Sequence, residues 1–112
     1  MNIIENIFSQ NLTSAPLDVS YEYLFDVRID QVYLKASVPI TETITITFDS
    51  RNGSNYDDVV DTNNFVAQSS SRFTPSWRLY LKAGDKIRIQ CTNANTTGTV
   101  YGTIHAMQGF EN

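Results

Sequence analysis

The apolar positions of this chain fall mostly on alternate residues, and that period belongs to half-buried strands. Tyr23, Phe25, Val27 and Ile29 alternate with Leu24, Asp26, Arg28 and Asp30. The parity then changes, and Val32, Leu34, Ala36 and Val38 continue the apolar face. One regular strand cannot switch faces, so the run 21–38 predicts a bulge or bend near Asp30–Gln31, or two strands joined there. Residues 43–48 read Thr-Ile-Thr-Ile-Thr-Phe, a plain strand with Ile44, Ile46 and Phe48 inward. Asn52-Gly53 favours positive φ and marks a hairpin, with a returning strand at 56–60. A short strand at 65–68 is followed by the serine run 69–71 and Pro75, which break the pattern. Residues 77–81 form the next strand, and Lys82-Ala83-Gly84-Asp85 a tight turn. Ile87, Ile89 and Cys91 share one face of the strand after it. Asn93 to Gly98 is a polar loop, and Val100, Gly102, Ile104 and Ala106 line one side of the last strand. Seven or eight short strands joined by turns predict an all-β antiparallel sandwich or barrel.

The N-terminus breaks this period. Ile3, Ile4, Ile7 and Phe8 fall at helical spacing, so residues 1–15 read as an arm ahead of a single β-sandwich domain, 16–112. A helix of about ten residues is marginal alone in water. The arm must therefore dock on its own domain, dock on a neighbour, or stay loose.

Composition narrows the function classes. The 112 residues make one domain that buries roughly two-thirds of its unfolded surface. Net charge is −4 with no basic stripe, which argues against nucleic acid as a partner. No signal peptide and no run of about 20 apolar residues is visible, so the expectation is a soluble chain made in the cytoplasm, with no membrane partner. Charge is uneven: residues 1–61 hold ten acids against three bases, and residues 62–112 two acids against five bases. Opposite charges can meet across strands within one monomer, or acidic and basic halves can meet head to tail between copies.

Candidate chemistry is sparse. His105 sits in mid-strand with no nucleophile or acid beside it in sequence, and Cys91 is in phase with buried isoleucines, as a small apolar side chain would be. The acids Asp49, Asp57, Asp58 and Asp61 surround the hairpin without the spacing of a calcium loop, so a solvated polar tip is expected. No cofactor, metal or enzymatic activity is expected. Trp77, Tyr56 and Tyr101 are the aromatics that could stack on a sugar or anchor a partner, although Trp77 also suits a sandwich-edge plug. The candidate partner-binding residues are Ile3, Ile4, Ile7 and Phe8 of the arm, Tyr56 and Trp77, and Arg72 and Arg78 of the basic half.

Three segments carry a family resemblance. They are 25–29 (Phe-Asp-Val-Arg-Ile); 42–50 with Gly53-Ser54-Asn55-Tyr56-Asp57; and 81–89 (Leu-Lys-Ala-Gly-Asp-Lys-Ile-Arg-Ile) with Asn93 and Tyr101-Gly102. Over residues 21–107 the chain resembles small tailed-bacteriophage virion proteins, and the Ala-Gly-Asp turn is similar to one in trimeric jelly-roll domains of the complement and tumour-necrosis-factor type. The resemblance implies a jelly-roll-like sandwich on the outer capsid surface. There it would act as a head decoration (cement) protein, a homo-oligomer with a trimer favoured, bridging copies of the major capsid protein. It brings no catalytic residues. The alternative is a tail or neck adaptor, or a carbohydrate-binding receptor module.

Overall fold

The computed structural model describes residues 2–74, 79–95 and 97–108. Its strands are β1 (Asn2–Asn11), β2 (Leu17–Glu22), β3 (Val27–Asp49), β4 (Asp58–Phe73), β5 (Leu79–Leu81), β6 (Lys86–Cys91) and β7 (Thr99–Gln108). One turn of 3-10 helix, Ser54–Tyr56, sits in the β3–β4 connection. Every pairing is antiparallel, in the order β1-β7-β3-β6-β2, with β4 and β5 on the other side of β3. The chain is all-β, as its alternation predicts.

β3 organises the molecule. Its first half pairs with β7 from Val27 to Ala36, and its second half pairs with β6 from Ile44 to Asp49. Between them Ser37 to Thr43 carries the strand from one layer to the other. Pro39 lies in this stretch and has no N–H to give to a ladder. The β4 register shifts twice beside it. The two layers, β1-β7-β3 and β2-β6-β3, close on a core that includes Val27, Ile29, Val32, Leu34, Ile44, Ile46, Phe65, Ile87, Ile89 and Ile104.

The face switch falls where the alternation places it. Ile29 pairs with Ala106 and Gln31 with His105, so Asp30 is the extra residue of a bulge. Buried positions run Val27, Ile29 before it and Val32, Leu34, Ala36 after it.

Four expectations change. Residues 21–38 are not one run: β2 ends at Glu22, and the turn 23–26 leaves Leu24 and Phe25 exposed. Val38, expected inside, is exposed at the layer crossing. The serines 69–71 do not end a strand, because β4 has β3 on one side only and an edge strand tolerates polar residues.

The fourth change is at the N-terminus, which docks on its own domain as a strand rather than a helix. β1 pairs with β7 along its whole length, Asn2 with Gln108 through Asn11 with Thr99. Ile4, Asn6 and Phe8 turn inward while Ile3, Glu5, Ile7 and Ser9 turn outward. A helix would have gathered the four apolar residues on one side, and the strand divides them. Asn6 is tolerated inward because its Oδ1 accepts from the Tyr23 hydroxyl at 2.6 Å.

Candidate functional site

Two surfaces carry the residues that could do work. The first is the end of the sandwich where the turns 23–26, 49–57 and 82–85 meet, each of them within or beside one of the three family-like segments. Asp85, buried, holds them together. Its carboxylate accepts from the backbone N–H of Lys82 at 2.8 Å and of Arg51 at 2.9 Å. Its own N–H donates to the Lys82 carbonyl, closing a turn that needs positive φ at Gly84 (95°). Gly84 N–H donates to the Tyr23 carbonyl, and the Arg51 guanidinium to the Ala83 carbonyl at 3.2 Å. Asp26 accepts from Ala83 N–H at 3.0 Å and from Lys82 Nζ at 3.2 Å. Those two donors hold the Asp26 carboxyl below its ordinary value. The Ala-Gly-Asp turn is therefore a latch between three loops. Its aspartate is consumed by backbone donors and is not presented to solvent.

Around the latch the surface is acidic. Glu22, Asp49, Asp57 and Asp58 stand near Arg51 and Lys86, with Tyr56 exposed beside them. Among the described residues no group of three or more His, Cys, Asp or Glu side chains is placed to hold a metal ion.

The second surface is the outer face of the β1-β7-β3 layer. Cross-strand register sets its rows: Ile3 beside Met107 and Arg28; Glu5 beside His105 and Gln31; Ile7 beside Thr103 and Tyr33; Ser9 beside Tyr101 and Lys35. Ile3 is 75% exposed, Ile7 71% and Tyr101 53%, so this face sets three large exposed apolar or aromatic side chains among polar and charged ones. The outer face of the other layer is different. It presents Asp18, Ser20 and Glu22 from β2, Lys86, Arg88 and Gln90 from β6, and Thr43, Thr45 and Thr47 from β3. Arg88 there makes a two-pronged contact with Asp18 at 2.9 and 2.7 Å, which lowers the Asp18 carboxyl from its ordinary value.

The sequence-predicted residues separate on this frame. Ile3 and Ile7 lie on the outer apolar face, Phe8 is in the core, and Ile4 is half-buried against it. Tyr56 sits on the three-loop end and Tyr101 on the sheet face, so these two do not form one stacking platform. Trp77 and Arg78 lie outside the described residues, and of Arg72 only its place in β4, opposite Tyr33, is described. The uneven charge resolves partly within the monomer, since Asp18 meets Arg88 and Asp26 meets Lys82.

Two buried groups were not singled out by the sequence. Glu42 is buried, and its carboxylate accepts from Thr92 Oγ1 at 2.7 Å, Ala94 N–H at 3.0 Å and Asn95 N–H at 2.8 Å, fixing the β6–β7 loop. Its signal was a carboxylate in phase with Ile44 and Ile46. Gly102 faces Phe8 across β1–β7, and a Cβ there would lie 2.0 Å from the ring.

Cys91 is buried, and burial with the nearby Glu42 charge pushes its thiol up to about 11. Burial, with the neighbouring Tyr21 second, pushes Tyr23 to about 12. Both groups are held neutral in the fold. The stability they contribute is therefore present below their unfolded values, near 9 and 10, and is lost as pH rises toward 11 and 12. Melting temperature is expected to fall from about pH 9 upward, with Cys91→Ala and Tyr23→Phe each flattening the slope. A flat profile between pH 9 and 11 in the parent would contradict this. The same burial predicts that a thiol reagent modifies Cys91 only on unfolding.

No family model matches the chain, and no curated protein sequence matches it. Among solved structures, the chain is similar to the NLP core of Drosophila, whose structure bears on pentamer formation and histone binding. The TM-score is 0.51 at 10% identity, covering 96% of this chain and 100% of that one. A crystal structure of PirA aligns at TM-score 0.49 and 10% identity, over 95% of this chain and 92% of that one. A structure of infectious bursal disease virus, Gt strain, aligns at TM-score 0.47 and 10% identity, over 96% of this chain and 33% of that one. The first of these shares the fold.

Proposed function

We propose that the chain is a non-catalytic structural subunit of a virus particle, and specifically a decoration protein on the outer capsid surface of a tailed phage. It would act as a cyclic homo-oligomer, with a trimer as the expected form, that bridges neighbouring major capsid subunits. The observation that carries this reading is the outer face of the β1-β7-β3 layer: two isoleucines and a tyrosine stand in solvent on a rigid sheet. Exposed apolar side chains of this kind mark an association surface. The family-like segments support the same reading, because in the fold they build the latch and the core strands beside it. A clamp between capsid subunits needs interface area and stiffness, and no cofactor, nucleic acid or membrane. The tail-adaptor and sugar-binding alternatives have less support, since Tyr56 and Tyr101 lie on different surfaces.

The test is co-sedimentation with DNA-free particles of the virus that encodes the chain, using the parent and the Ile3→Asp and Ile7→Asp variants. Both substitutions lie at exposed sites and are expected to cost under about 1 kcal/mol of stability. Each is expected to lower particle occupancy about tenfold or more. Unchanged occupancy in both variants, at unchanged melting temperature, would overturn this use of the face. Absence of the chain from purified particles would overturn the reading as a whole.

A further inference from the structure

We propose that the Asn52-Gly53 pair at the tip of the β3–β4 hairpin is a self-modification site. In the folded protein the Gly53 backbone nitrogen displaces ammonia from the Asn52 side chain, and the tip is converted to aspartate and isoaspartate. The inference stands apart from the virion reading, since it needs only this chain and water.

Asn52 is the one asparagine of the sequence that glycine follows. The turn itself demands that glycine. Gly53 has φ 111°, a backbone value that a side chain would strain against, and its N–H closes the turn by donating to the Ser50 carbonyl at 3.2 Å. The missing side chain has a second consequence. It leaves the Gly53 nitrogen uncrowded, and a Cβ placed there would meet no atom within 4 Å. Both residues are exposed. The Asn52 backbone N–H donates to Ser50 Oγ at 3.0 Å, while its side-chain amide has no hydrogen-bond partner among the described residues. Gly53 also lines an open cleft with Ser54, Asp57 and Lys86, so water reaches the pair. The electrophile is thus free to turn. The nucleophile is held by one bond at the long end of the normal range, on a tip that opens locally.

The step needs no partner beyond solvent. Gly53 N–H gives its proton to solvent base, and the nitrogen pair attacks Asn52 Cγ. The bond from Cγ to the side-chain nitrogen breaks, and that nitrogen takes up a proton and leaves as ammonia. A succinimide ring remains. Water then adds to one of the two ring carbonyls and cleaves its bond to the Gly53 nitrogen. Opening at Cγ gives aspartate, and opening at the Asn52 main-chain carbonyl gives isoaspartate.

The two products act differently on the tip. Aspartate keeps the backbone and adds a charge beside Asp49 and Asp57. Isoaspartate routes the backbone through the former side chain and inserts an extra main-chain atom between Arg51 and Gly53. Arg51 is the anchor of the tip: its N–H donates to Asp85 at 2.9 Å and its guanidinium to the Ala83 carbonyl at 3.2 Å. The extra atom carries the Gly53 N–H away from the Ser50 carbonyl and pulls on that anchor. Isoaspartate therefore loosens the latch, and aspartate leaves it closed.

The full chain is incubated at physiological temperature as the parent, Asn52→Gln and Asn52→Asp, at neutral and mildly alkaline pH. The parent in guanidinium chloride is the unfolded reference. Peptide mapping by mass spectrometry follows the amide-to-acid exchange, and electron-transfer fragmentation separates isoaspartate from aspartate. Ammonia loss is expected at Asn52 before any other asparagine, and faster at the higher pH, because the Gly53 nitrogen must shed a proton. The folded rate is expected within about tenfold of the unfolded one, since a single exposed hydrogen bond protects the nucleophile. Asn52→Gln is expected to stay unreacted over the same period, because its longer side chain closes a larger ring more slowly. The isoaspartate fraction, isolated by ion exchange, is expected to melt below the parent and to exchange the Arg51 amide faster. Asn52→Asp should melt like the parent and isolates the effect of charge. A folded parent that reacts more than about tenfold more slowly than the unfolded reference overturns the inference, as does earlier reaction at another asparagine. An isoaspartate fraction with the Arg51 amide as protected as in the parent overturns the link to the latch.

Discussion

Gly102→Ala is expected to destabilise the fold by about 3–5 kcal/mol, although it adds a single methyl group. Gly102 lies directly opposite Phe8 in the β1–β7 ladder, and the Phe8 ring covers it. A Cβ at position 102 would fall 2.0 and 2.1 Å from two ring carbons and 2.8 Å from Leu34 Cδ2. Leu34 is a core residue with nowhere to retreat, so the ring must leave. The cost is then that of losing a buried aromatic, about 3–5 kcal/mol by analogy with Phe→Ala changes. That is a large part of a typical stability of roughly 5–15 kcal/mol. Phe8→Ala alone should cost a similar amount. The double variant should cost much less than the sum, because both changes remove the same contact and the new methyl fills part of the vacated space. Denaturant midpoints of the four proteins measure this directly. Hydrogen exchange should show the amides of β1 and β7 losing protection first. A Gly102→Ala cost under about 1 kcal/mol, or simple additivity with Phe8→Ala, would refute the account.

The same contact shows why β1 was hard to read. Ile3, Ile4, Ile7 and Phe8 satisfy a helical period, while the strand period needs Asn6 inward and two isoleucines in water. Asn6 is acceptable inside only because Tyr23, seventeen residues away, donates to it. Ile3 and Ile7 are acceptable outside if another protein covers them. Local pattern shows neither the Tyr23 donor nor what stands over the two isoleucines. By contrast, the parity change at Asp30 was legible because residues 27–29 before the bulge and 32–36 after it obey the strand period. The Ala-Gly-Asp turn was legible as a turn but not as a latch, since the groups it binds lie far earlier in the chain, at Tyr23, Asp26 and Arg51. Glu42 has the same character: it sits in core phase beside Ile44, and its three donors lie 50 to 53 residues further on. The paired strands follow from periodicity. The sites follow from contacts between loops that periodicity does not order.

Those loop contacts bear on stability at one end of the sandwich, because they tie the hairpin tip to the 82–85 turn. Asp85→Ala is the change that should release it. The substitution strips the acceptor from two backbone donors, Lys82 N–H and Arg51 N–H, at a buried position. Hydrogen bonds to a charged acceptor contribute roughly 1.5–3 kcal/mol each. The two share one carboxylate and one turn, so their loss does not simply add, and about 3–4 kcal/mol is expected. Asp85→Asn keeps one acceptor oxygen and turns an amide N–H₂ toward the other donor, which gives an intermediate loss. Asp57→Ala is the contrast. It removes one bond, to Ser50 N–H, at an exposed site, and should cost under about 1 kcal/mol. Hydrogen exchange at Arg51 and Lys82 should quicken in Asp85→Ala well before the core strands respond, since the latch opens one end of the sandwich and leaves the β3 ladders paired. If Asp85→Ala melted like the parent with both amides still protected, the latch would be only a coincidence of the turn.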